Sequence, residues 1–312
     1  MNVAETGTDA APLVELLPDD VPEYAAAIHE AGGALTDQRA EVLVWSRHGD
    51  PDLLTAAISE RPSLRWVQLP SAGVENFARA GAFDERLLWT SAKGAYGRPV
   101  AEHALGLILA IARELPERAR ATSWAPQSGI SIQGARTLIV GAGGIARDLC
   151  RLLRLFDSTV TVCRAGGAPA DFADHTIRPH ELRDALPASD IVVLAAPVSP
   201  ETTGLIDRAA LDAMSPEAIL VNVGRGELVV TDDLVEALDA GRIRGAGLDV
   251  TDPEPLPPGH PLWMHPRALI TPHTANTPAM SIPLLADRIR ENLRRYRSGQ
   301  PLLGVIDLAK GY

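Results

Sequence analysis

Cysteine is almost missing from this chain: Cys150 and Cys163 are the only two in 312 residues, and neither stands in a CxxC spacing. That excludes a disulfide framework and any thiolate zinc site, no metal is expected, and both thiols read as reduced and buried in a cytosolic protein. Positive charge is scarce as well. Lys and Arg number 29 against 40 Asp and Glu, a formal net charge of -11, which argues against general binding to nucleic acid or to an anionic membrane. An anionic substrate therefore needs a local cationic pocket. Long apolar runs are absent too, since the longest, Ala104 to Ala112, covers less than half a bilayer. The first residues carry Glu5 and Asp9 with no basic stretch ahead of an apolar core, so no targeting signal is read and a cytoplasmic location is expected. No internal repeat or low-complexity tract stands out.

What the chain does carry is alternation. It is too long for one average domain and suits two, each with its own core. Apolar runs that read as strands, LVELL (13–17), EVLVWS (41–46), LRWVQLP (64–70) and LLWTSA (87–92), alternate with helical stretches such as VPEYAAAIHEAG (21–32) and PDLLTAAISE (51–60). This spacing predicts βα units and a parallel sheet. A long helix is expected from about 98 to 115, followed by a loop or arm, ARATSWAPQSGISIQGA.

A second α/β series then begins with TLIVGAGGIARDLCRLL, from Thr137 to Leu153. A buried strand runs into Gly141, Gly143 and Ala146, and an amphipathic helix follows, which is the GxGxxA dinucleotide fingerprint in its proper context. The first glycine permits the tight turn, the second lets backbone N–H groups approach a pyrophosphate, and the small third residue lets the helix pack on the strand. Gly144 and Ile145 open that helix, whose N-terminus presents partial positive charge to the phosphates. Further strands are read at 158–163, 190–197, 218–223, 243–250 and 268–273, several as near-continuous Val, Leu and Ile runs expected of strands covered on both faces. Helical segments around 180–187, 207–213 and 231–240 separate most of them. After one more helix, about 281–297, the tail with LLGVI reads as returning to the first domain. Residues 100–275 then form a dinucleotide-binding domain inserted in a substrate domain of 1–99 and 276–312, with the natural active site in the cleft between them.

Three of these strands end in polar residues that core packing does not explain: Arg225 in VNVGRGELV, Glu254 in LDVTDPEP and His273 in ITPHTAN. Singly, each has a plain structural reading: a surface cation on a glycine turn, a solvated residue in a Pro-rich loop, a satisfied core histidine. Jointly they stand at the carboxyl ends of the strands, where open α/β sheets bind ligands.

At this point the chain resembles the D-isomer-specific 2-hydroxyacid dehydrogenase family, which includes glyoxylate/hydroxypyruvate reductases and phosphoglycerate dehydrogenases. Besides the fingerprint, the resemblance rests on VAEHALGLILA (100–110), SDIVVLAAPVSPETTGLID (189–207), MSPEAILVNVGRGELVVTDDL (214–234), GAGLDVTDPEPLP (245–257) and ITPHTAN (270–276), and it covers nearly the whole chain. It implies two doubly wound parallel-sheet domains, a Rossmann domain inserted in a smaller flavodoxin-like one. The implied activity is hydride transfer between a nicotinamide coenzyme and C2 of a small 2-oxoacid or D-2-hydroxyacid, with glyoxylate or hydroxypyruvate as plausible substrates. Arg225 would orient the substrate through paired donors and polarise its carbonyl. His273 would give or take the proton, and Glu254 would hydrogen-bond it, fix the ring and favour its protonated form.

The resemblance also carries Pro197, Thr202, Val223 and Gly224 to the coenzyme and Asp249 to the nicotinamide carboxamide. Backbone amides near Ala72 and Gly73, in LPSAGVEN, would meet the substrate carboxylate. Thr202 also reads as a helix-start residue, LPSAGVEN as a simple strand-to-helix turn, and Trp45 and Tyr96 as either substrate-side or core aromatics. Where an NAD site usually has Asp or Glu, about 20 residues past the glycines, this chain has Cys163 and then Arg164. No carboxylate repels a 2′-phosphate there and a guanidinium can pair with it, so NADP(H) is the expected coenzyme and NAD(H) stays open; Arg164 also reads as a solvated loop cation. Formate dehydrogenases of the family carry Gln in place of Glu254, which disfavours that branch. A homodimer is implied, with the arm around Trp124 as a dimer surface. The second reading is a coenzyme-sensing, corepressor-like dimer on the same fold. A phosphoglycerate dehydrogenase-like enzyme is a third, disfavoured because no regulatory domain follows the tail.

Overall fold

In a computed structural model, which describes residues 10–37, 39–124, 126–166 and 168–308, the chain divides into two compact units. One is made by the chain up to Tyr96 and again from Thr277, the other by Gly97–Asn276.

The first unit alternates β1 (Leu13–Leu17), α1 (Pro22–Glu30), β2 (Ala34–Leu35), β3 (Val42–Trp45), α2 (Pro51–Ser59), β4 (Trp66–Gln68), α3 (Glu75–Arg79) and β5 (Leu88–Thr90). Proline at the first turn starts α1 and α2, where its missing N–H costs no helical bond. Each then buries one face, Tyr24, Ala27 and Ile28 in α1 and Leu54, Ala57 and Ile58 in α2, at the i, i+3, i+4 spacing of a helix lying on a sheet. The strands are all parallel in the order β2-β1-β3-β4-β5, the flavodoxin order. A 20-residue helix, Pro278–Arg297, packs on α1, and the tail after it sets Val305 against Thr90 in a single antiparallel bridge.

The second unit contains α4 (Gly97–Ala112), α5 (Leu115–Arg118), β6 (Arg136–Val140), α6 (Gly144–Leu153), β7 (Thr159–Cys163), β8 (His175–Ile177), α7 (Leu182–Ala185), β9 (Ile191–Leu194), α8 (Arg208–Ala213), β10 (Ile219–Asn222), α9 (Thr231–Asp239), β11 (Gly245–Leu248) and β12 (Ala268–Ile270). Its seven parallel strands run β12-β11-β10-β9-β6-β7-β8, the Rossmann order with one strand added beyond the sixth. Every residue of β9, β10 and β11 is buried, which is why these strands read as continuous apolar runs in the sequence. The strand order reverses between β6 and β9, the switch point at whose strand carboxyl ends open α/β sheets bind ligands.

Burial pushes the thiols of Cys150 and Cys163 up to about 11, so both stay protonated and unreactive near neutral pH. Among the described residues no helix is long and apolar enough to cross a membrane.

Candidate active site

The fingerprint turn leaves β6 at Gly141. Its φ is +112°, and a Cβ there would lie 2.5 Å from the carbonyl oxygen of Ala195, just past β9. Only glycine fits both the backbone angle and the close approach. Gly143 caps α6, and a Cβ on it would meet nothing within 4 Å, so the helix N-terminus, with Gly144 and Ile145 in its first turn, faces open space. Ala146 is buried beneath the helix.

The loops after the next strands close on one another in the same way. Gly224, following Val223 at the end of β10, approaches Ala196, and a Cβ on Gly226 would collide with the carbonyl of Thr251 in the loop after β11. These close approaches lay the Arg225 loop against the loop that carries Glu254. Asn222 Nδ2 donates to the Arg225 carbonyl at 2.8 Å, and Arg225 Nη1 donates to the Gly224 carbonyl at 2.7 Å. After β9, Thr202 Oγ1 donates to the Pro197 carbonyl at 2.8 Å and accepts from the Ser199 amide at 2.7 Å. Thr202 starts no helix. It locks a turn, and α8 begins at Arg208, capped by Asp207.

Glu254 and His273 come together. His273 Nδ1 lies 2.7 Å from Glu254 Oε1, with the side chains 55% and 43% exposed. An ionised carboxylate only accepts, so Nδ1 holds the hydrogen between them and Nε2 is left for a reacting atom. The backbone of His273 is left-handed, φ +51°, a conformation a non-glycine residue keeps only when its surroundings hold it there. Its amide donates to the carbonyls of Asp249 and Thr271, at 2.7 and 2.8 Å.

Asp249 is the fixed point of this corner. Its side chain is 2% exposed. Oδ1 accepts from Thr271 Oγ1 at 2.7 Å and from the Thr274 amide at 2.9 Å, and Oδ2 accepts from the Ala275 amide at 3.1 Å. Burial would push this carboxyl up, yet the hydrogen bonds from His103, Thr271 and the two amides outweigh it and hold it below the usual carboxylate range. Reading the sequence missed His103 and Thr271. The signal was there in the four-residue spacing of His103, Leu107 and Ile111 opposite the small-residue strand GAGL.

Arg164 follows β7, its amide bonded to the Ile177 carbonyl at 3.1 Å, and it makes no ion pair among the described residues. In the first unit, Ala72 and Gly73 lie between β4 and α3, and neither amide has a hydrogen-bond partner among the described residues. Tyr96 is core there: its hydroxyl donates to the Pro70 carbonyl at 2.5 Å, and burial pushes its phenol above the ordinary tyrosine range. Trp45, 1% exposed, is core as well.

The carboxyl ends of β12, β11, β10, β9 and β6 thus line up along one edge, bearing in turn His273, Asp249 with the Glu254 loop, Arg225, Pro197 with Thr202, and the glycine turn. A hydrogen-bonded imidazole–carboxylate pair and a guanidinium stand at one end of this row and an open helix N-terminus at the other.

Comparison with known proteins identifies the family. Residues 105–275 match the family model described as D-isomer specific 2-hydroxyacid dehydrogenase, NAD binding domain. An uncharacterized protein from the proB 3′ region of Corynebacterium melassecola is 34% identical over 300 residues, 93% of this chain and 97% of that protein. Glyoxylate/hydroxypyruvate reductase A of Serratia proteamaculans is 31% identical over 215 residues, 68% of each chain. The crystal structure of a D-isomer specific 2-hydroxyacid dehydrogenase from Xanthobacter autotrophicus Py2, in complex with NADPH and MES, is 25% identical with a TM-score of 0.82, covering 97% of this chain and 100% of that one. By matched domain and by length of shared sequence alike, the chain belongs to the D-isomer specific 2-hydroxyacid dehydrogenase family of NAD(P)-dependent enzymes.

Proposed function

We propose that this enzyme reduces small 2-oxoacids such as glyoxylate or hydroxypyruvate, with NADPH preferred over NADH and with His273 as the acid in reduction and the base in oxidation. The observation that carries the reading is the 2.7 Å pair of His273 Nδ1 and Glu254 Oε1, which leaves Nε2 as the only ring nitrogen able to exchange a proton with substrate.

The residues present fit a dinucleotide. Gly141 leaves the backbone of the turn close to Ala195, and the open space at Gly143 receives the pyrophosphate on the α6 N-terminus. Gly144, Ile145, Pro197, Thr202, Val223 and Gly224 line the row of strand ends beside it. Oδ2 of Asp249 accepts one bond from the chain and keeps a lone pair for the carboxamide. When bound, the reduced nicotinamide supplies a hydride to C2, and the oxidised form accepts one.

The chain does the rest. Arg225 holds one carboxylate oxygen and the carbonyl oxygen through paired N–H donors, drawing electron density from C2. His273 passes its Nε2 proton to the carbonyl oxygen as the alkoxide forms, and Glu254 goes on accepting from Nδ1–H, so the ring keeps its orientation and tautomer. In the other unit, the amides of Ala72 and Gly73 are assigned to the substrate carboxylate; that unit would be the substrate domain (1–99 and 276–312) and 100–275 the dinucleotide-binding domain. We also infer a cytoplasmic homodimer, for which the fully exposed Trp124 offers an apolar contact.

Coenzyme preference rests on Arg164, the first residue past β7, whose guanidinium has no carboxylate partner among the described residues, and on the NADPH complex of the Xanthobacter relative. Arg164→Ala is expected to raise KM for NADPH about 10-fold or more, the worth of one charged hydrogen bond, and to leave KM for NADH unchanged. Equal effects on both coenzymes would refute the assignment. Gly141→Ala should weaken binding of both coenzymes by about one to two orders of magnitude, because strain at φ +112° and the approach to Ala195 would both have to be relieved; titration of intrinsic fluorescence with each coenzyme measures it.

A further inference from the structure

We propose that His103 is a positioning residue for His273, acting through Thr271 and Asp249. The inference rests on the reading of His273 as the acid–base group, and it assigns a task to a side chain outside the row of strand ends.

Helix α4 lies along β11 so closely that both glycines of that strand are required. A Cβ on Gly245 would meet the Arg267 carbonyl oxygen at 2.5 Å and Ile111 Cγ2 at 2.8 Å, and one on Gly247 would meet Leu107 Cβ at 2.8 Å. Four helix residues rise about 6 Å and two strand residues about 6.6 Å, so the two elements stay in step while running in opposite directions. Ile111 sits over Gly245 and Leu107 over Gly247, and one helical turn further His103 arrives at Asp249. There its Nε2 is 2.8 Å from Thr271 Oγ1 and 3.3 Å from Asp249 Oδ1.

The direction of these hydrogen bonds follows from the acceptor at the end of the chain. Asp249 is ionised and can only accept, so the single hydroxyl proton of Thr271 goes to Oδ1. Thr271 Oγ1 then has only lone pairs to offer His103, and Nε2 must carry a hydrogen. The series reads His103 Nε2–H to Thr271 Oγ–H to the Asp249 carboxylate. That carboxylate also takes the amides of Thr274 and Ala275, while the Asp249 carbonyl takes the amide of His273. Held from residue 271 on one side and from 274 and 275 on the other, the left-handed backbone of His273 has no freedom to relax, and its ring stays on Glu254. In the absence of the His103 donor, Thr271 is free to rotate and the Asp249 clamp loses its outer member.

Among the described residues His103 makes no hydrogen bond or ion pair with Glu254 or His273, so its effect must pass through the loop. The test compares His103→Leu, which removes the donor, with His103→Gln, which keeps an N–H at similar reach. His103→Leu should lower kcat for hydroxypyruvate by up to about 100-fold, the cost of misplacing a reacting group by an ångström, with KM for hydroxypyruvate unchanged. His103→Gln should restore most of kcat. Amide hydrogen exchange of residues 273–275, measured on the protein without substrate or coenzyme, should speed up in His103→Leu and not in His103→Gln. Should His103→Leu fail to fold, Thr271→Val against Thr271→Ser carries the same comparison, with the hydroxyl as the rescued group. Equal losses in both members of a pair, or unchanged exchange at 273–275 in the donor-less variant, would overturn the proposal. Absence of turnover in the wild type would overturn the functional reading instead, and the exchange measurement would still decide whether His103 holds the loop.

Discussion

His273→Ala is expected to cut kcat for 2-oxoacid reduction by about 100- to 10,000-fold, the range a positioned general acid contributes, while Kd for NADPH stays at the wild-type value. The separation follows from the layout of the strand ends. His273 stands past β12, whereas the glycine turn leaves β6, four strands away in the same sheet, a distance on the order of 20 Å. Loss of the imidazole is therefore expected to leave the glycine turn, the proposed pyrophosphate site, untouched. Alanine carries a side effect here, because it must adopt φ +51°, which costs an L-residue about 1 kcal/mol or more. His273→Asn is the cleaner variant, since asparagine tolerates the left-handed region and has no group that can serve as an acid near neutral pH. Both variants should lose turnover alike. If His273→Asn kept turnover while His273→Ala lost it, the loss in the alanine variant would reflect backbone geometry, and the proton donor would have to be sought elsewhere.

Arg225 is expected to matter on a similar scale but in both kinetic parameters. Two charged hydrogen bonds to the substrate, each worth about 1.5–3 kcal/mol, amount to about 100- to 10,000-fold in kcat/KM. Arg225→Ala should raise KM for the oxoacid and lower kcat, because in the proposed mechanism the same guanidinium binds the carboxylate and polarises the carbonyl. Arg225→Lys keeps the charge and loses the planar fork, so it should recover part of KM and little of kcat. Full recovery in the lysine variant would mean that charge alone suffices and that bidentate geometry plays no part. The flanking glycine should be as intolerant for a different reason. Gly226 has no room for a Cβ against Thr251, so the loop that presents Arg225 is fixed by backbone contact.

Much of this fold was legible because buried parallel strands write themselves as uninterrupted apolar runs. IVVL, ILVN and LIV are visible without knowledge of their neighbours. The two strands that went unread, β2 with Ala34–Leu35 and β8 with His175–Ile177, are edge strands of two and three residues that bury no residue fully, and at that length no period can be recognised. The site was legible as a set of polar strand ends, since a guanidinium or an imidazole directly after a core strand has no packing role. The partners of those residues were not. Asp249 looks like a ligand-facing carboxylate in the sequence, but its two backbone partners, the amides of Thr274 and Ala275, carry no sequence signature. His103 is hidden on a helix whose other spaced residues are apolar. Trp45 and Tyr96 sit at an element's end and read equally as pocket or core; burial of both settles them as core.

The proposed reaction depends on His273 delivering a proton to a 2-oxoacid held by Arg225. The most direct test is NADPH oxidation by the purified protein with glyoxylate and hydroxypyruvate, run beside His273→Asn, with NADPH affinity measured on both. Oxoacid-dependent turnover is expected in the wild type, with near-complete loss in His273→Asn and equal NADPH affinity. Tight NADPH binding by a wild type that turns over no 2-oxoacid would contradict it and would point to a protein that senses the coenzyme.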